Sequence, residues 1–135
     1  MAAPFTVQGT LALPGVPGLP AEPLPFGVIG EYNSKSEFEY VFPSSPSGTQ
    51  AVNFGTMPAA GAKLVLITYN YPGDVTEAVA LASTPVEITL NASLTPIELS
   101  SGGVFMHVSP DPSAGITSAS ITYSSEGKVR VWLLG

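Results

Sequence analysis

Residues 85–135 read PVEITLNASLTPIELSSGGVFMHVSPDPSAGITSASITYSSEGKVRVWLLG, and four runs within them alternate apolar and polar side chains. A period of two sends successive side chains to opposite faces, so each run predicts a half-buried β-strand. The last run continues to Leu134 and Gly135, and we expect this end of the chain to be held inside the fold. The apolar positions of the four runs are Val86, Ile88 and Leu90; Val104, Met106 and Val108; Ala119, Ile121 and Tyr123; and Val129, Val131 and Leu133.

The N-terminal part of the chain extends this pattern. In the predicted strand 37–42, Phe38, Tyr40 and Phe42 form one aromatic face. The most apolar segment, 63–71, does not alternate, which predicts a strand buried on both faces near the middle of a sheet. Residues 31–36 are polar and predict a loop. Other predicted strands are 5–13, 50–54, 75–82 and 94–99, where Pro96 indicates an edge strand or a strand end. Residues 26–29 are a short apolar run closed by Gly30.

Roughly eight to ten short strands, separated by turns about every 8–12 residues, are typical of a sandwich or barrel. We predict one all-β domain spanning residues 1–135, because a chain of this length fits a single core. The architecture we expect is an antiparallel β-sandwich of the jelly-roll kind, with eight strands in two sheets. An immunoglobulin-like sandwich is the alternative.

The composition limits the classes of partner. Charged residues make up 10% of the chain, against about 25% in an average domain. Either partners cover much of the surface or the surface is neutral and rich in hydroxyl groups, and we favour partners. The net charge of −6 offers no basic patch, so we expect no nucleic-acid binding. The chain has no cysteine and no apolar run of about 18 residues, which excludes disulfides and argues against a membrane span. The first 13 residues lack the pattern of a signal peptide, so we do not expect Sec export.

A proline-rich stretch covers residues 14–25, with Pro14, Pro17, Pro20 and Pro23 at a spacing of three. Proline fixes φ and donates no backbone hydrogen bond, so we predict an extended arm that is neither a helix nor an interior strand. The arm is either a linker over the surface or a segment that docks on a neighbouring subunit, since such a segment loses little entropy on docking. The candidate interface residues are Pro14, Val16, Pro17, Leu19, Pro20, Pro23, Leu24 and Pro25.

The sequence contains no arrangement of residues that indicates catalysis. His107 is the single histidine, and without cysteine it cannot form a multi-histidine or thiolate zinc site. No Gly-x-Ser-x-Gly turn accompanies it, so a serine-hydrolase triad is not supported. Glu37 and Glu39 lie two residues apart and fit a solvated strand face better than the cleft of a glycosidase. We therefore predict no catalytic residue, no metal site, no cofactor and no enzymatic activity.

The aromatic residues leave a binding function open. A platform of aromatic rings would stack on sugars, as in carbohydrate-binding modules, although an ordinary core or interface uses the same residue types. The residues concerned are Trp132, Tyr32, Tyr69, Tyr71 and Tyr123.

The C-terminal 45 residues or so resemble those of small β-rich virion proteins of tailed bacteriophages. The resemblance is to capsid decoration, or cement, proteins, which are often trimers that clamp neighbouring major capsid subunits. It implies a homo-oligomer, with a trimer favoured, located in the virion after assembly in the host cytoplasm. The segments that carry it are 94–99, 101–103, 104–110, 115–118 and 129–135.

These observations lead to one expected function and one alternative. We expect a structural protein of a phage particle that binds the major capsid protein or another virion protein, with the proline-rich arm crossing a subunit boundary. The alternative is a carbohydrate- or receptor-binding β-sandwich of a head or tail fibre.

Overall fold

The structure is a computed structural model and describes residues 2–11, 24–70, 84–110 and 115–135. In these ranges every regular element is a β-strand. The strands are β1 (Ala3–Leu11), β2 (Leu24–Tyr32), β3 (Lys35–Phe42), β4 (Gly48–Ala51), β5 (Leu64–Tyr69), β6 (Val86–Leu90), β7 (Ile97–Leu99), β8 (Val104–Val108), β9 (Ala119–Tyr123) and β10 (Gly127–Leu134).

Strands β3 to β10 form two four-stranded antiparallel sheets. The front sheet has the order β3-β10-β5-β8, and the back sheet has the order β4-β9-β6-β7. The pairs are nested along the chain: β3 with β10, β4 with β9, β5 with β8 and β6 with β7, alternating between the sheets. This nesting of eight strands is that of a jelly roll, so the predicted fold is confirmed. It differs from the strand order of an immunoglobulin domain, so that alternative is wrong.

The core lies between the two sheets. Val129, Val131 and Leu133 of β10 alternate inward and are fully buried, as the sequence pattern predicts. They face the back sheet, where Ile88 and Ile121 are also fully buried. The strands of both sheets thus bury one apolar face each, which is what makes two amphipathic sheets pack.

The middle of the front sheet is occupied by β5, which pairs with β10 on one side and β8 on the other. Val65, Ile67 and Tyr69 are completely buried on its inner face, and Leu64 on its outer face is also buried. The prediction of a central strand from the continuous apolar run is therefore confirmed. The edge position predicted for residues 94–99 is confirmed as well, because β7 ends the back sheet.

The C-terminal residue is held inside the fold, as the sequence predicts. Gly135 is buried, and its carbonyl oxygen accepts hydrogen bonds from the N–H groups of Asn33 (2.7 Å) and Ser34 (2.8 Å). Its own N–H group donates to the carbonyl oxygen of Ser34 at 2.9 Å. These bonds join the end of β10 to the turn that separates β2 from β3.

Three predictions from the sequence need correction. The loop predicted at 31–36 is reduced to residues 33 and 34, because β2 continues to Tyr32 and β3 begins at Lys35. Pairing explains the difference: Tyr32 pairs with Ala3, and Lys35 pairs with Leu134, so both polar ends join a ladder. The strand predicted at 50–54 is observed at 48–51, and the short apolar run 26–29 lies inside β2.

The third correction concerns β8. Its predicted apolar face, that of Val104, Met106 and Val108, points away from the core, while Phe105 packs against the core. Alternation defines two faces but does not say which one meets the other sheet. The strand predicted at 75–82 lies outside the described residues.

Candidate functional site

Strands β1 and β2 form a two-stranded antiparallel ribbon that belongs to neither sheet of the jelly roll. The pairing runs from Ala3 with Tyr32 at the base to Leu11 with Leu24 at the far end. Among its described side chains only Phe5 is buried, with 8% of its surface exposed. Among the described side chains of the ribbon, burial is therefore concentrated at its base.

Phe5 anchors this base. Its ring lies directly over Gly30 on the paired strand, where an added Cβ atom would come within 2.6 Å of the ring. Glycine at position 30 thus makes room for the ring. The ring of Tyr32 lies 6.4 Å from that of Phe5, and the ammonium group of Lys63 donates to the carbonyl oxygen of Glu31 at 2.8 Å. The ring contacts lie within the ribbon, and the Lys63 bond joins the ribbon to the residue that precedes β5.

The outer face of the front sheet is largely apolar. Across the sheet, Trp132 on β10 pairs with Leu66 on β5, which pairs with Met106 on β8. Side chains in register on neighbouring strands share a face, so these three form one continuous row. The apolar residues of this face, together called the outer face below, are Leu64, Leu66, Val104, Met106, Val108, Trp132 and Leu134; Thr68, Lys128 and Arg130 lie on the same side of the sheet.

The base of the ribbon and the outer face enclose an open groove of about 360 Å³. This volume is within the range of small-molecule and side-chain pockets, about 300–1,000 Å³. Most of the lining is apolar, with Lys35 supplying a positive charge. The lining residues are Pro4, Phe5, Tyr32, Lys35, Leu64, Leu66, Trp132 and Leu134.

Exposure of the outer face increases away from the ribbon. Leu64, beside the groove, is 7% exposed, whereas Met106 is 42% exposed and Val104 is 62% exposed. Large apolar side chains with this much exposure, two residues apart on the same face of one strand, are typical of interaction surfaces. The β8 side of the outer face is therefore the candidate interaction surface.

Charged groups lie at the other side of the same face. Arg130 places its guanidinium nitrogen 3.6 Å from a carboxylate oxygen of Glu39, and the ammonium group of Lys128 lies 3.9 Å from the same carboxylate. The Arg130 guanidinium also lies 5.6 Å from the centre of the Trp132 ring, within cation–π distance. Glu37 and Glu39 are exposed on β3, in agreement with the predicted acidic strand face.

His107 lies on the inner side of β8 and is half-buried beside Val65. Its Nε2 atom is buried and has no hydrogen-bond partner in the structure. Within the described ranges, no three histidine, aspartate or glutamate residues are grouped so that they could hold a metal ion. No helix in the same ranges is long and apolar enough to cross a membrane.

The proline-rich arm is only in part within the described residues. Residues 14–23 lie outside them, and with them the candidate interface residues Pro14, Val16, Pro17, Leu19, Pro20 and Pro23. Leu24 and Pro25 begin β2, where they pair with Leu11 and Thr10. Pro25 is compatible with this position because a two-stranded ribbon leaves each strand one edge without a ladder.

Reasoning from the sequence missed the outer face as a site. The signal that was available lies in β10, where Trp132 and Leu134 are apolar at positions that alternate with the core residues. In the same way Val104 and Met106 are apolar beside Phe105. A strand that is apolar on both faces is expected either at the centre of a sheet or in contact with a partner. Because β8 is an edge strand, its second apolar face indicates a partner.

Comparison with known proteins identifies no relative: no protein-family model, no curated protein and no solved structure matches this chain.

Proposed function

We propose that this chain is a non-enzymatic structural protein of a tailed-bacteriophage particle, and specifically a capsid decoration protein that binds and stabilises major capsid subunits. The observation that carries the proposal is the exposed apolar surface at β8, where Val104 and Met106 are 62% and 42% exposed. A chain with 10% charged residues has little else to keep such a surface solvated, so burial against a protein partner would stabilise it.

Two further features support an assembly role. In the amino-acid sequence, residues 14–23 lie between two strands of nine residues each, β1 and β2. Strands of that length reach about 30 Å at 3.4 Å per residue, enough to cross a subunit boundary. Jelly rolls also occur in viral capsid domains, which supports the proposal by analogy of fold.

Co-sedimentation with capsid shells tests the proposal. Purified full-length protein is mixed with undecorated shells of a tailed phage that encodes the chain, and the pellet is analysed for bound protein. We expect binding that saturates at a fixed ratio to the major capsid protein and that raises the temperature at which shells disrupt. Absence of binding to shells would overturn the proposal.

A pair of variants locates the binding surface. Val104→Asp places a charge on the β8 side of the front sheet, and we expect it to weaken shell binding with little loss of stability. Val41→Asp is the matched control, because Val41 is a valine of similar exposure, 64%, on the opposite edge strand of the same sheet. Equal binding by both variants would show that the β8 surface is not the one used.

The second candidate function is sugar or receptor binding by a fibre module. The observation that favours it is the groove, whose lining includes the aromatic residues Phe5, Tyr32 and Trp132 together with Lys35. A glycan array tests it: Trp132→Ala should abolish retention, while Trp132→Phe, which keeps a stacking ring, should retain part of it. An array without any signal would count against this function and leave the first one standing.

A further inference from the structure

Edge strands need protection from unwanted pairing, and three of the four jelly-roll edges are protected. Strand β3 alternates Lys35, Glu37 and Glu39 along its edge. Strand β7 has three residues, including Glu98, and follows Pro96, while β4 has four residues and follows Pro46 and Ser47. Charges, prolines and short strands are the devices by which proteins block edge-to-edge pairing.

Strand β8 has none of these devices within its own length, although Pro110 follows two residues after its end. It is five residues long, VFMHV, with no acidic residue, lysine, arginine or proline. Ser109 donates to Lys63 at 2.7 Å and Tyr69 donates to Gly103 at 3.2 Å, which fixes the phase of the β5–β8 ladder. In an antiparallel pair, the backbone N–H and C=O groups of successive residues point alternately to the two sides of the strand. The backbone groups of Phe105 and His107 point to β5, and those of Val104, Met106 and Val108 point to the outer edge. In the part of the chain that the structure describes, no strand pairs with this edge.

The ribbon has a complementary deficiency. Two strands alone are marginally stable in water, and a third strand or a packed face is needed for independent stability. Strand β1 contains no charged residue over its nine positions, whereas β2 carries Glu31; each strand contains one proline, Pro4 in β1 and Pro25 in β2. The β1 edge is thus the better edge for accepting a third strand.

We propose that β1 of one copy pairs with the β8 edge of a second copy, so that the ribbon of each chain extends the front sheet of its neighbour. The charge distribution favours β1 of a second copy as the strand that pairs with β8. The chain has a net charge of −6, and edges that carry Glu31, Glu37, Glu39 or Glu98 repel one another. Strands β1 and β8 contain no charged residue, so their edges can pair without this repulsion. The contact supplies the third strand for the ribbon and covers the unprotected edge in a single interface.

This contact joins two different surfaces and is therefore head-to-tail, a type of contact that closes into a ring when the rotation allows it. It deepens the proposed function by naming the surface through which copies associate, and it rests on that function only for its setting in a particle. Self-association is measured without capsids, so its failure and the failure of shell binding are separate results.

The first test is the mass of the full-length protein in solution, by light scattering during gel filtration. We expect a multiple of the 13.8 kDa chain mass. Met106→Pro removes an N–H group that faces the edge without removing a bond to β5, and should give the monomer mass with an unchanged β-type circular dichroism spectrum.

Val41→Pro is the matched control for that variant. The backbone groups of Ser34 and Gly135 hydrogen-bond to each other in both directions, so the N–H group of Ser34 points to β10. The direction alternates along the strand, and Val41 lies an odd number of positions from Ser34. The N–H group of Val41 therefore points to the outer edge of β3. We expect Val41→Pro to retain the wild-type mass. A monomeric wild-type protein, or an oligomeric Met106→Pro variant, would overturn the inference.

The second test applies even if the proline variant fails to fold. The chain has no native cysteine, so single cysteines can be placed without background. Met106→Cys is mixed with Thr6→Cys, Val7→Cys or Gln8→Cys, which cover both faces of β1, and treated with a short bis-maleimide. We expect covalent dimers in at least one mixture and none from the β1 variants alone. Dimers from Met106→Cys alone would show pairing of β8 with β8, and no dimers in any mixture would exclude the β1 contact; either result overturns the proposal.

Discussion

Replacement of Phe5 by alanine tests whether the ribbon is joined to the jelly roll chiefly through this side chain. Phe5 is the one described ribbon side chain that is buried, with 8% exposed, and it lies over Gly30 beside the groove. It is not part of the core cluster between the two sheets. The substitution should therefore loosen the ribbon and leave the jelly roll intact.

The size of the effect follows from burial and from the groove. A phenylalanine-to-alanine change in a closed core costs about 3–5 kcal/mol, and transfer of the ring to water alone costs about 1.5–3 kcal/mol. Because an open groove borders Phe5, water and neighbouring side chains can occupy the vacated space, so the cavity contribution is small. We expect a loss of about 2–3 kcal/mol in the local stability of the ribbon, which is about a 30- to 150-fold change in its opening equilibrium.

Native-state hydrogen exchange of the full-length protein measures this change. The amide groups of β1 and β2 that are protected should lose protection by that factor, while those of β5 and β10 should keep theirs. Gly30→Ala should give a similar result, because its Cβ atom would displace the Phe5 ring. Ile29→Ala is the control: this side chain is 75% exposed on the ribbon, and its removal should change protection little.

Two outcomes would refute this reasoning. Unchanged protection of β1 and β2 in Phe5→Ala would mean that contacts other than the ring hold the ribbon. An equal loss of protection in β5 and β10 would mean that the ribbon and the jelly roll unfold as one unit.

Three other changes have expected outcomes. Trp132→Ala should lower the free energy of unfolding, measured by denaturant titration, by about 1–2 kcal/mol, because Trp132 is half-buried on the outer face. A loss of about 3–5 kcal/mol, the value for a tryptophan in a core, would place Trp132 with the core. Asn70→Ala should lower the free energy of unfolding by about 1–3 kcal/mol, because the buried Asn70 side chain accepts a hydrogen bond from the Lys128 N–H group at 3.0 Å and the backbone of Asn70 has a φ of 48°. An unchanged denaturation midpoint would contradict this prediction. Deletion of residues 15–23 should leave the melting temperature nearly unchanged, since none of the described ribbon side chains belongs to the core cluster, yet weaken binding to capsid shells. An unfolded variant or full shell binding would contradict the role of the arm.

Several parts of the fold were predictable because their signals are local. The alternation of Val129, Val131 and Leu133 identifies a strand and its buried face, and the continuous run around Val65 identifies a central strand. The turn at 101–103 was predictable from its composition and is observed with Gly102 at a φ of 81°. The candidate site was less accessible, because an outer face consists of residues from β5, β8 and β10 that are far apart in the chain.

The amino-acid sequence by itself determined that this protein is an all-β sandwich with few charges, since periodicity and composition are properties of neighbouring residues. Tertiary structure alone decided that Val104 and Met106 face outward while Phe105 faces inward. When both faces of a strand are apolar, the face that fits the opposing sheet is the one that packs into the core. Tertiary structure also decided that residues 31, 32, 35 and 36 belong to strands, with only 33 and 34 left as the turn, since the pairing of Tyr32 with Ala3 and of Lys35 with Leu134 supplies ladder hydrogen bonds that local polarity does not reveal.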